Sequence, residues 1–461
     1  MDCGVRNLVI TQDNINLLNE LDKFIDLEEL YCEELNLTQL PVNNLLNLRK
    51  LDCSKNILTS LQVDKLSNLE ELICSNNSIR QLLLPPQIKI VKCASCLLSE
   101  LPLATPQLQV LHCYNNFLNQ LDLSLLAELI DLDCSYNSLR QLDLSANSKL
   151  QKVGIAYNLL QQLTLSKLDN LQYMYCNNNL LADFQLQSLT ITYLKINNNS
   201  LTQIDFTTMP NLLTLLINNN RLSTLLLASC PHLHTLNCSA NQLSELNLDK
   251  NKKIKYLHCV YNNITHLILD LPSLSLLECN FNNMESLQMR TPKLLSLYCF
   301  NNHLVNLILP LTVEDVICSE NDLTTLDLKG LLHLHRLDCS YNFIDMLDLT
   351  SLRELESLNC QSNWLRQLNV QHCPALIELI CSSNRINDLQ LKGLSHLAIL
   401  DALYTEIESI DLPPERIKQF YRILYPHNGH IQQEDFIKYL PGQAEALKYV
   451  ERRNSHYHYL P

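Results

Sequence analysis

The 461-residue sequence predicts an α/β-type solenoid dominated by β structure, with about 19–20 parallel strands on one concave face. The pattern LxxLxC recurs at intervals of 19, 20 or 21 residues wherever no repeat is skipped. An asparagine follows three residues after nearly every one of these cysteines, and 105 of the 461 residues are leucine. Because one such unit cannot bury its own leucines, neighbouring units must stack to form a continuous core.

We call the position of the recurring cysteine the ladder slot, and we number the other positions of each repeat from it. Isoleucine fills the slot at Ile155, Ile196 and Ile217, and Ala402 continues the series. The sequence therefore holds 19 repeats, and a weaker start around residues 8–10 is a candidate twentieth. The cysteines in the slot are Cys32, Cys53, Cys74, Cys93, Cys113, Cys134, Cys176, Cys238, Cys259, Cys279, Cys299, Cys318, Cys339, Cys360 and Cys381. The asparagines at position +3 are Asn56, Asn77, Asn116, Asn137, Asn158, Asn179, Asn199, Asn220, Asn241, Asn262, Asn282, Asn302, Asn321, Asn342, Asn363 and Asn384.

Each repeat is expected to contribute one short strand to a parallel sheet. The LxC segment alternates with a period of two, which places the leucine and the slot residue on the same face of a strand. The +3 asparagine is expected to bond backbone groups where the chain leaves the strand, since buried N–H and C=O groups need partners. The following LxxLxL segment is too short for a full helix, so it predicts an extended convex side.

The unit LxxLxCxxNxLxxLxLxxxxxL resembles the leucine-rich-repeat family over about residues 27–412. Cysteine in the third leucine position is similar to the short-repeat bacterial subtype with a cysteine ladder, found in internalin J-like proteins. Leucine-rich-repeat effectors of intracellular bacteria are the other similar group. The resemblance implies a protein-binding solenoid. It favours an effector with a role in virulence over a cell-surface adhesin, because the sequence lacks an immunoglobulin-like segment and a wall-anchoring tail.

The two ends of the chain depart from the repeat. Residues 1–26 predict an N-terminal cap that includes the degenerate first repeat. Residues 413–461 predict a helical C-terminal cap and a flexible tail, with helices expected over 415–424, 433–440 and 443–453. A cap is expected because a terminal repeat must cover an otherwise exposed core.

The sequence contains 19 cysteines, which raises the question of thiol chemistry. A column of buried thiols could be a metal store or a disulfide framework, but isoleucine in the same slot of three repeats favours packing by a small apolar residue. Cys93 and Cys96 form a CxxC pair, yet Cys96 occupies the asparagine position of its repeat and no second CxxC follows. We therefore expect no metal site, no cofactor and no catalytic residue, and a reducing compartment.

Aromatic residues and histidines cluster at positions −3, −1, +1 and +2, which are expected to face the concave side. Tyrosine suits a binding surface because it buries a large area and keeps a polar tip. It also has good strand propensity and stacks on its neighbours across strands, so the same residues fit a purely structural role. The predicted partner-binding residues are His112, Tyr114, Tyr136, Tyr157, Tyr173, Tyr175, Tyr193, Tyr256, His258, Tyr261, Phe281, Tyr298, Phe300 and Tyr341.

The charge of the chain disfavours nucleic acid as a partner, because the net charge is −14, the pI is about 5.4 and no basic run is present. Glu28, Glu29, Glu33 and Glu34 crowd the first repeats, which fits either a solvated end or a patch that steers a basic partner. No apolar run reaches the length of a membrane span, and the N-terminus lacks a Sec signal. These features predict a cytoplasmic protein, or one secreted without a Sec signal into a host cytosol.

The sequence as a whole predicts a non-enzymatic protein–protein interaction scaffold that binds a macromolecular partner on the concave face. A host protein is the favoured partner, through the resemblance to bacterial effectors. Two alternatives stay open: an enzyme or modifier that uses the C-terminal segment, and a carbohydrate-recognition or surface adhesion protein. The oligomeric state is also open. We expect alanine at Tyr175, His258 and Tyr298 to weaken partner binding without unfolding the chain.

Overall fold

The computed structural model describes residues 4–165, 167–407 and 422–424. The chain divides into two compact units between Asn241 and Gln242. Both units repeat one plan, in which a three-residue strand is followed by a turn, a stretch of extended chain and a second turn that leads to the next strand.

The first unit contains one parallel sheet in which each strand pairs with the strand of the next repeat. The register places equivalent positions opposite each other, so that Leu30 pairs with Leu51 and Leu51 with Leu72. A strand at the start of the chain pairs with the first full repeat, which gives the degenerate repeat a place in the sheet. The strands are Asn7–Val9, Glu29–Tyr31, Lys50–Asp52, Glu71–Ile73, Ile90–Lys92, Val110–His112, Asp131–Asp133, Lys152–Gly154, Tyr173–Tyr175, Tyr193–Lys195, Thr214–Leu216 and Thr235–Asn237.

The second unit has a parallel sheet with the same register, as in the pairing of Leu277 with Leu297 and of Leu337 with Leu358. Its strands are Tyr256–His258, Leu276–Glu278, Ser296–Tyr298, Asp315–Ile317, Arg336–Asp338, Ser357–Asn359, Glu378–Ile380, Ile399–Asp401 and Arg422–Leu424. The last of these strands pairs with Ile399–Asp401, where it continues the sheet beyond the final leucine-rich repeat.

Regular structure outside the two main sheets is sparse among the described residues. Gln12–Lys23 forms a 3₁₀ helix in the first unit. On the convex side, two short parallel pairs of strands follow the main strands, and each pair lies within one unit. These strands are Gln141–Asp143 with Gln162–Thr164, and His266–Asp270 with Ser286–Arg290. The extended convex side expected from LxxLxL is therefore confirmed.

The core of each repeat consists of its leucines and its ladder-slot residue. All fifteen cysteines in the slot are fully shielded from solvent, and so are Ile155, Ile196 and Ile217, which fill the same slot. The slot residue extends the interstrand hydrogen bonds one residue beyond each strand. The Cys134 N–H, for example, donates to the Gly154 carbonyl of the next repeat at 2.8 Å. Cysteine and isoleucine thus occupy equivalent buried space, as expected for a small apolar side chain.

The +3 asparagines form a second ladder that joins each repeat to the one before it. In the repeat of Asn137, the side-chain Nδ2 donates to the carbonyls of Cys113 and Cys134, each at 3.1 Å. Its Oδ1 accepts the Leu118 N–H at 2.9 Å. One side chain therefore satisfies buried backbone groups of two consecutive repeats, which is the role predicted from the sequence.

The residue at position +2 has a left-handed backbone in every full repeat, with φ between 51° and 59°. This conformation lets the chain reverse direction so that the +3 amide can reach back to the slot carbonyl. Only six of the nineteen residues are asparagine and none is glycine, although these two residues tolerate positive φ best. The residues are Glu34, Lys55, Asn76, Ser95, Asn115, Tyr136, Tyr157, Asn178, Asn198, Asn219, Ala240, Tyr261, Phe281, Asn301, Glu320, Tyr341, Ser362, Ser383 and Tyr404.

Of the predicted C-terminal cap, only residues 422–424 are among those that the structure describes. The helix expected over 415–424 does not include its last three residues, because Arg422–Leu424 is a strand. An open sheet edge offers unpaired N–H and C=O groups, which an extended segment satisfies and a helix does not. The helices expected over 433–440 and 443–453, and the flexible tail, lie outside the described residues.

Candidate functional site

The fourteen predicted binding residues lie at four positions of the repeat on the outward side of the main sheets. We call positions −3, −1 and +1 the sheet face, because the intervening leucine and the slot residue point into the core. We call position +2 the turn row. The sheet face holds His112, Tyr114, Tyr173, Tyr175, Tyr193, Tyr256, His258, Tyr298 and Phe300, and the turn row holds Tyr136, Tyr157, Tyr261, Phe281 and Tyr341.

In the first unit, the structure brings two groups of tyrosines together. The rings of Tyr136 and Tyr157 stack in parallel, with centroids 4.3 Å apart. The ring of Tyr193 lies 5.2 Å from that of Tyr175 and 6.5 Å from that of Tyr173. Tyr136, Tyr157 and Tyr173 keep 43–51% of their surface exposed. These rings therefore support each other and still present a broad surface to solvent.

The second unit contains a comparable aromatic cluster of its own. Tyr261 stacks on Phe281 with centroids 4.3 Å apart, and Phe281 meets Phe300 edge to face at 5.0 Å. Tyr256 and Tyr341 are 45% and 52% exposed. The cluster combines a continuous ring surface with separate tyrosines further along the sheet.

Three of the predicted residues are half-buried and lie against carboxylates of the protein itself. His112 Nε2 lies 3.3 Å from Asp131 Oδ2. His258 Nδ1 lies 2.7 Å from Glu278 Oε2. These contacts fix the histidine rings against the sheet, so each ring has a structural role whatever else it does.

Tyr298 is the third of these residues. Its hydroxyl donates to Asp315 Oδ2 at 2.8 Å, and burial together with that carboxylate raises the pKa of Tyr298. Replacing His258 or Tyr298 by alanine would leave a carboxylate without its donor. The triple alanine variant proposed from the sequence would therefore perturb the fold as well as the surface, and the exposed tyrosines are the better test.

The turn row shows that strand propensity does not account for its aromatic residues. Tyr136, Tyr157, Tyr261, Phe281 and Tyr341 lie beyond the strands and have φ values of 52–54°. A left-handed backbone costs an L-residue with a bulky side chain roughly 1–2 kcal/mol, and asparagine less. Strain of this kind clusters at functional sites. The aromatic side chains are therefore retained at these positions in spite of the local backbone preference.

This strain gives a direct prediction for the exposed Tyr341. Tyr341→Asn is expected to raise the free energy of unfolding by roughly 1 kcal/mol, because asparagine tolerates the left-handed backbone better. Urea denaturation followed by circular dichroism measures the change. The reverse substitution at the equivalent Asn301, Asn301→Tyr, should lower stability by a similar amount. A Tyr341→Asn protein that is no more stable than the parent would show that the turn row is not strained.

An exposed aromatic pair that is not among the predicted binding residues follows the turn row in two repeats of the second unit. Phe343 and Trp364, both at position +4, have ring centroids 5.1 Å apart and are 40% and 52% exposed. Phe117 occupies the same position in the first unit and is 61% exposed. An aromatic residue at position +4 recurs in three repeats, and this recurrence is the sequence signal that could have identified these residues.

One open groove among the described residues lies away from both aromatic clusters. It has a volume of about 850 Å³, lies in the first unit and is lined by Glu100, Pro102, Asp122, Asp143 and Gln162 among others. These residues are at positions +7 to +9, on the side opposite the sheet face. A broad face without a deep cavity suits a macromolecule better than a small molecule.

The CxxC pair is buried, and Cys96 bonds the slot carbonyl of the preceding repeat, as the +3 asparagine does elsewhere. Its thiol donates to the Cys74 carbonyl at 3.4 Å, where other repeats place an asparagine amide. A hydrogen bond from the Cys74 thiol, with the N–H groups of Asn77 and Ile79, holds the pKa of Cys96 below its ordinary value. Within the described part of the chain, histidine, cysteine and carboxylate side chains form no group that could hold a metal ion.

Comparison with solved structures gives several matches to long repeat proteins. The chain is similar to YopM from Yersinia enterocolitica, with 24% identity, 88% of this chain and 92% of that chain covered, and a TM-score of 0.64. It is also similar to the Arabidopsis receptor kinase HAESA, solved with the peptide hormone IDA and a co-receptor, with 21% identity, 95% and 87% covered, and a TM-score of 0.62. The domain of InlJ from Listeria monocytogenes that includes a cysteine ladder matches at 22% identity over 83% and 69%, with a TM-score of 0.45.

Two further comparisons bear on the chain. A scan against protein-family models and a search of curated proteins both find no match. Within the described residues, no helix is both long and apolar enough to cross a membrane.

Proposed function

We propose that this chain, which has the leucine-rich-repeat fold, is a non-enzymatic scaffold that binds a protein partner on its sheet face and turn row. The observation that carries the proposal is the row of exposed aromatic side chains held on a strained backbone. Tyr136 stacks on Tyr157 and Tyr261 stacks on Phe281, all four at positive φ. Stability alone would favour asparagine or glycine there.

Tyrosine at such positions suits recognition for a physical reason. It offers a large apolar ring, a polar tip and few rotatable bonds, so little conformational entropy is lost on binding. Ring stacking between repeats fixes the ring orientation before the partner arrives. The surface is therefore preorganised, which lowers the entropic cost of association.

The charged groups among the aromatic residues support a binding role over a catalytic one. Some carboxylates of the sheet face are held by aromatic or histidine side chains of the predicted site, as in the contacts of Asp131 with His112 and of Asp315 with Tyr298. The HAESA structure was solved with a peptide hormone, which is consistent with a peptide or protein segment as the ligand of this fold. We further propose, from the sequence resemblance, that the chain is a bacterial effector with a host protein as its partner, in the host cytosol.

The test removes aromatic rings without weakening the fold. We expect Tyr157→Asn/Tyr261→Asn/Tyr341→Asn to remain folded, because relief of backbone strain offsets the loss of ring stacking. The variant should capture at least about tenfold less partner, because interface tyrosines each contribute about 2 kcal/mol or more where they act as hot spots. The measurement is affinity capture from host-cell lysate in reducing buffer, with quantitative mass spectrometry of the retained proteins.

A matched control removes exposed apolar side chains from another side of the repeats. Leu83, Leu226 and Ile308, all at position +9, are 58%, 79% and 85% exposed. Leu83→Asn/Leu226→Asn/Ile308→Asn should retain the partner as the parent does. Equal retention by the parent and the tyrosine variant would place the binding site elsewhere. Loss from the position +9 variant alone would move it to the convex side.

A further inference from the structure

The sheet face and turn row of the second unit carry an uneven charge. Between Tyr256 and Tyr404, these positions hold six carboxylates and a single lysine or arginine, Arg336. The carboxylates are Glu278, Asp315, Glu320, Asp338, Glu378 and Asp401.

The first unit is different at the same positions, because lysines alternate with carboxylates there. Lys50 pairs with Glu71 at 3.1 Å and Lys55 with Glu34 at 3.5 Å. An acidic face is therefore a property of the second unit and does not simply follow from the acidic composition of the chain.

Most of these carboxylates are positioned by neutral hydrogen-bond donors. Asp315 accepts from the Tyr298 hydroxyl at 2.8 Å, and Glu378 accepts from the Ser357 hydroxyl at 2.7 Å. Glu320 accepts from the amide of Asn301 at 2.7 Å. A neutral donor fixes the direction of a carboxylate and leaves its negative charge in place. The face is thus held in a defined geometry that attracts positive charge.

Three of these carboxylates share a repeat with an aromatic residue of the turn row, namely Glu278 with Phe281, Asp338 with Tyr341 and Asp401 with Tyr404. Phe281 follows Glu278 by three residues and contacts both Tyr261 and Phe300. A guanidinium group can stack on an aromatic face and bond a carboxylate in bidentate fashion, whereas an ammonium group is a hydrated point charge. Carboxylates next to ring faces therefore match arginine better than lysine.

We infer that the sheet face of the second unit binds an arginine-rich segment of the partner, an inference that rests on the proposed function. The carboxylates from Glu278 to Asp401 span six strand spacings, about 29 Å at about 4.8 Å per spacing. An extended segment of roughly nine residues covers that distance at about 3.3 Å per residue.

The experiment uses fluorescein-labelled 12-residue peptides in which serine alternates with arginine, lysine or glutamate, and fluorescence anisotropy with the full chain. We expect the arginine peptide to bind at least about threefold more tightly than the lysine peptide, and the glutamate peptide not to bind. Binding of the arginine peptide should weaken as sodium chloride is raised from 50 to 300 mM, since salt screens exposed charges. These arms use the parent protein and do not depend on the folding of a variant.

Two variants with the same change in net charge locate the site. Glu278→Gln/Asp315→Asn/Glu378→Gln should weaken arginine-peptide binding at least about tenfold, whereas Glu285→Gln/Asp322→Asn/Asp345→Asn should change it less than about twofold. The control residues lie at positions +4 and +6 of the same unit, where Glu285 and Asp345 are exposed and Asp322 is half-buried. Urea denaturation of both variants checks that they fold.

Three results would overturn the inference: no binding of the arginine peptide, equal affinity for the lysine peptide, or equal weakening by both charge variants. A protein captured by the parent and lost from the tyrosine variant, together with no binding of the arginine peptide, would reject this inference and keep the proposed function. If no protein were captured and the arginine peptide did not bind, both this inference and the proposed function would be rejected.

Discussion

Raising the pH from 7.5 to 9.5 in reducing buffer is expected to unfold both repeat units without denaturant. Burial raises the pKa of eight thiols in the first unit and seven in the second above the ordinary value, in the case of Cys299 to about 12. A hydrogen bond with Cys96, together with burial, raises the pKa of Cys74 in the first unit as well. An unfolded thiol has a pKa of about 8.5. The folded chain therefore keeps protons that the unfolded chain releases between these values.

The direction of the effect follows from proton linkage. Near pH 7.5 both states carry almost all of the thiol protons, so stability hardly depends on them. Above that pH the unfolded state binds fewer protons, so the free energy of unfolding falls as pH rises. Each thiol costs about 0.8 kcal/mol at pH 9.0 and about 1.4 kcal/mol at pH 9.5. With seven or more such thiols in each unit, the loss at pH 9.5 reaches about 10 kcal/mol, as large as the stability of many whole domains.

Urea denaturation at pH 7.5, 8.5 and 9.0, followed by circular dichroism, measures this loss. Cys339→Val removes one of the titrating thiols and should make the loss between pH 7.5 and 9.0 smaller by about 0.8 kcal/mol. Ile217→Val, in the same slot without a thiol, should leave the pH dependence unchanged. A urea midpoint that stays constant up to pH 9.0 would show that the ladder thiols have the same pKa in the folded and unfolded chain.

The period of the sequence was enough to predict the solenoid, because it depends on residues that recur in every repeat. The pattern LxC reports a period-two alternation, and the leucine and slot residue are buried where that alternation places them. The +3 asparagine was assigned its role because a buried turn needs donors and acceptors, and the hydrogen bonds of Asn137 agree with that role. A feature that recurs in nearly every repeat can be predicted even though single repeats depart from it.

The conformation of the turn row was not visible in the sequence. Positions with a left-handed backbone are usually occupied by glycine or asparagine, but here Tyr341, Ser362 and Glu320 adopt this conformation as well. The turn also forms where no asparagine follows, before Leu35, Cys96 and Thr405, so it belongs to the repeat and does not depend on the residue at +2. The aromatic residues at +2 were therefore read as part of the strand surface, although they lie in the turn beyond it.

Single-residue environments were also beyond the reach of pattern reasoning. Tyr175, His258 and Tyr298 occupy the −1 position alike, yet Tyr298 and His258 are each bonded to a carboxylate of the next strand. The difference depends on which residue occupies the neighbouring repeat, about 20 positions along the chain. The strand Arg422–Leu424 is a similar case, because pairing with a sheet edge outweighs a helical pattern of apolar residues.

Removing one ladder asparagine is expected to cost about 3 kcal/mol of stability, more than any surface change considered above. In the second unit, Asn342 is 4% exposed, and its Oδ1 accepts the Leu323 N–H at 3.0 Å. Its Nδ2 donates to the carbonyls of Cys318 and Cys339, each at 3.1 Å. Asn342→Ala leaves the Leu323 N–H buried without a partner and opens a small cavity, and both changes are destabilising.

The side chain joins two repeats, so its loss should act on the contact between neighbours as well as on one turn. In a solenoid, such nearest-neighbour terms carry much of the cooperativity. We therefore expect Asn342→Ala to lower the urea midpoint and also to broaden the transition, as the repeats on its two sides uncouple. Asn283→Ala, at an exposed position +4 of the same unit, should change neither quantity.

A cysteine at the same site refines the test, because Cys96 already fills the asparagine position in one repeat. There the thiol reaches the Cys74 carbonyl at 3.4 Å and receives backbone N–H groups, as the amide does elsewhere. Asn342→Cys should therefore recover part of the stability that Asn342→Ala loses, since it restores one acceptor and one weak donor. If Asn342→Cys were no more stable than Asn342→Ala, or if Asn342→Ala cost less than about 1 kcal/mol, the hydrogen bonds would not be what couples the repeats, and apolar packing alone would have to hold them together.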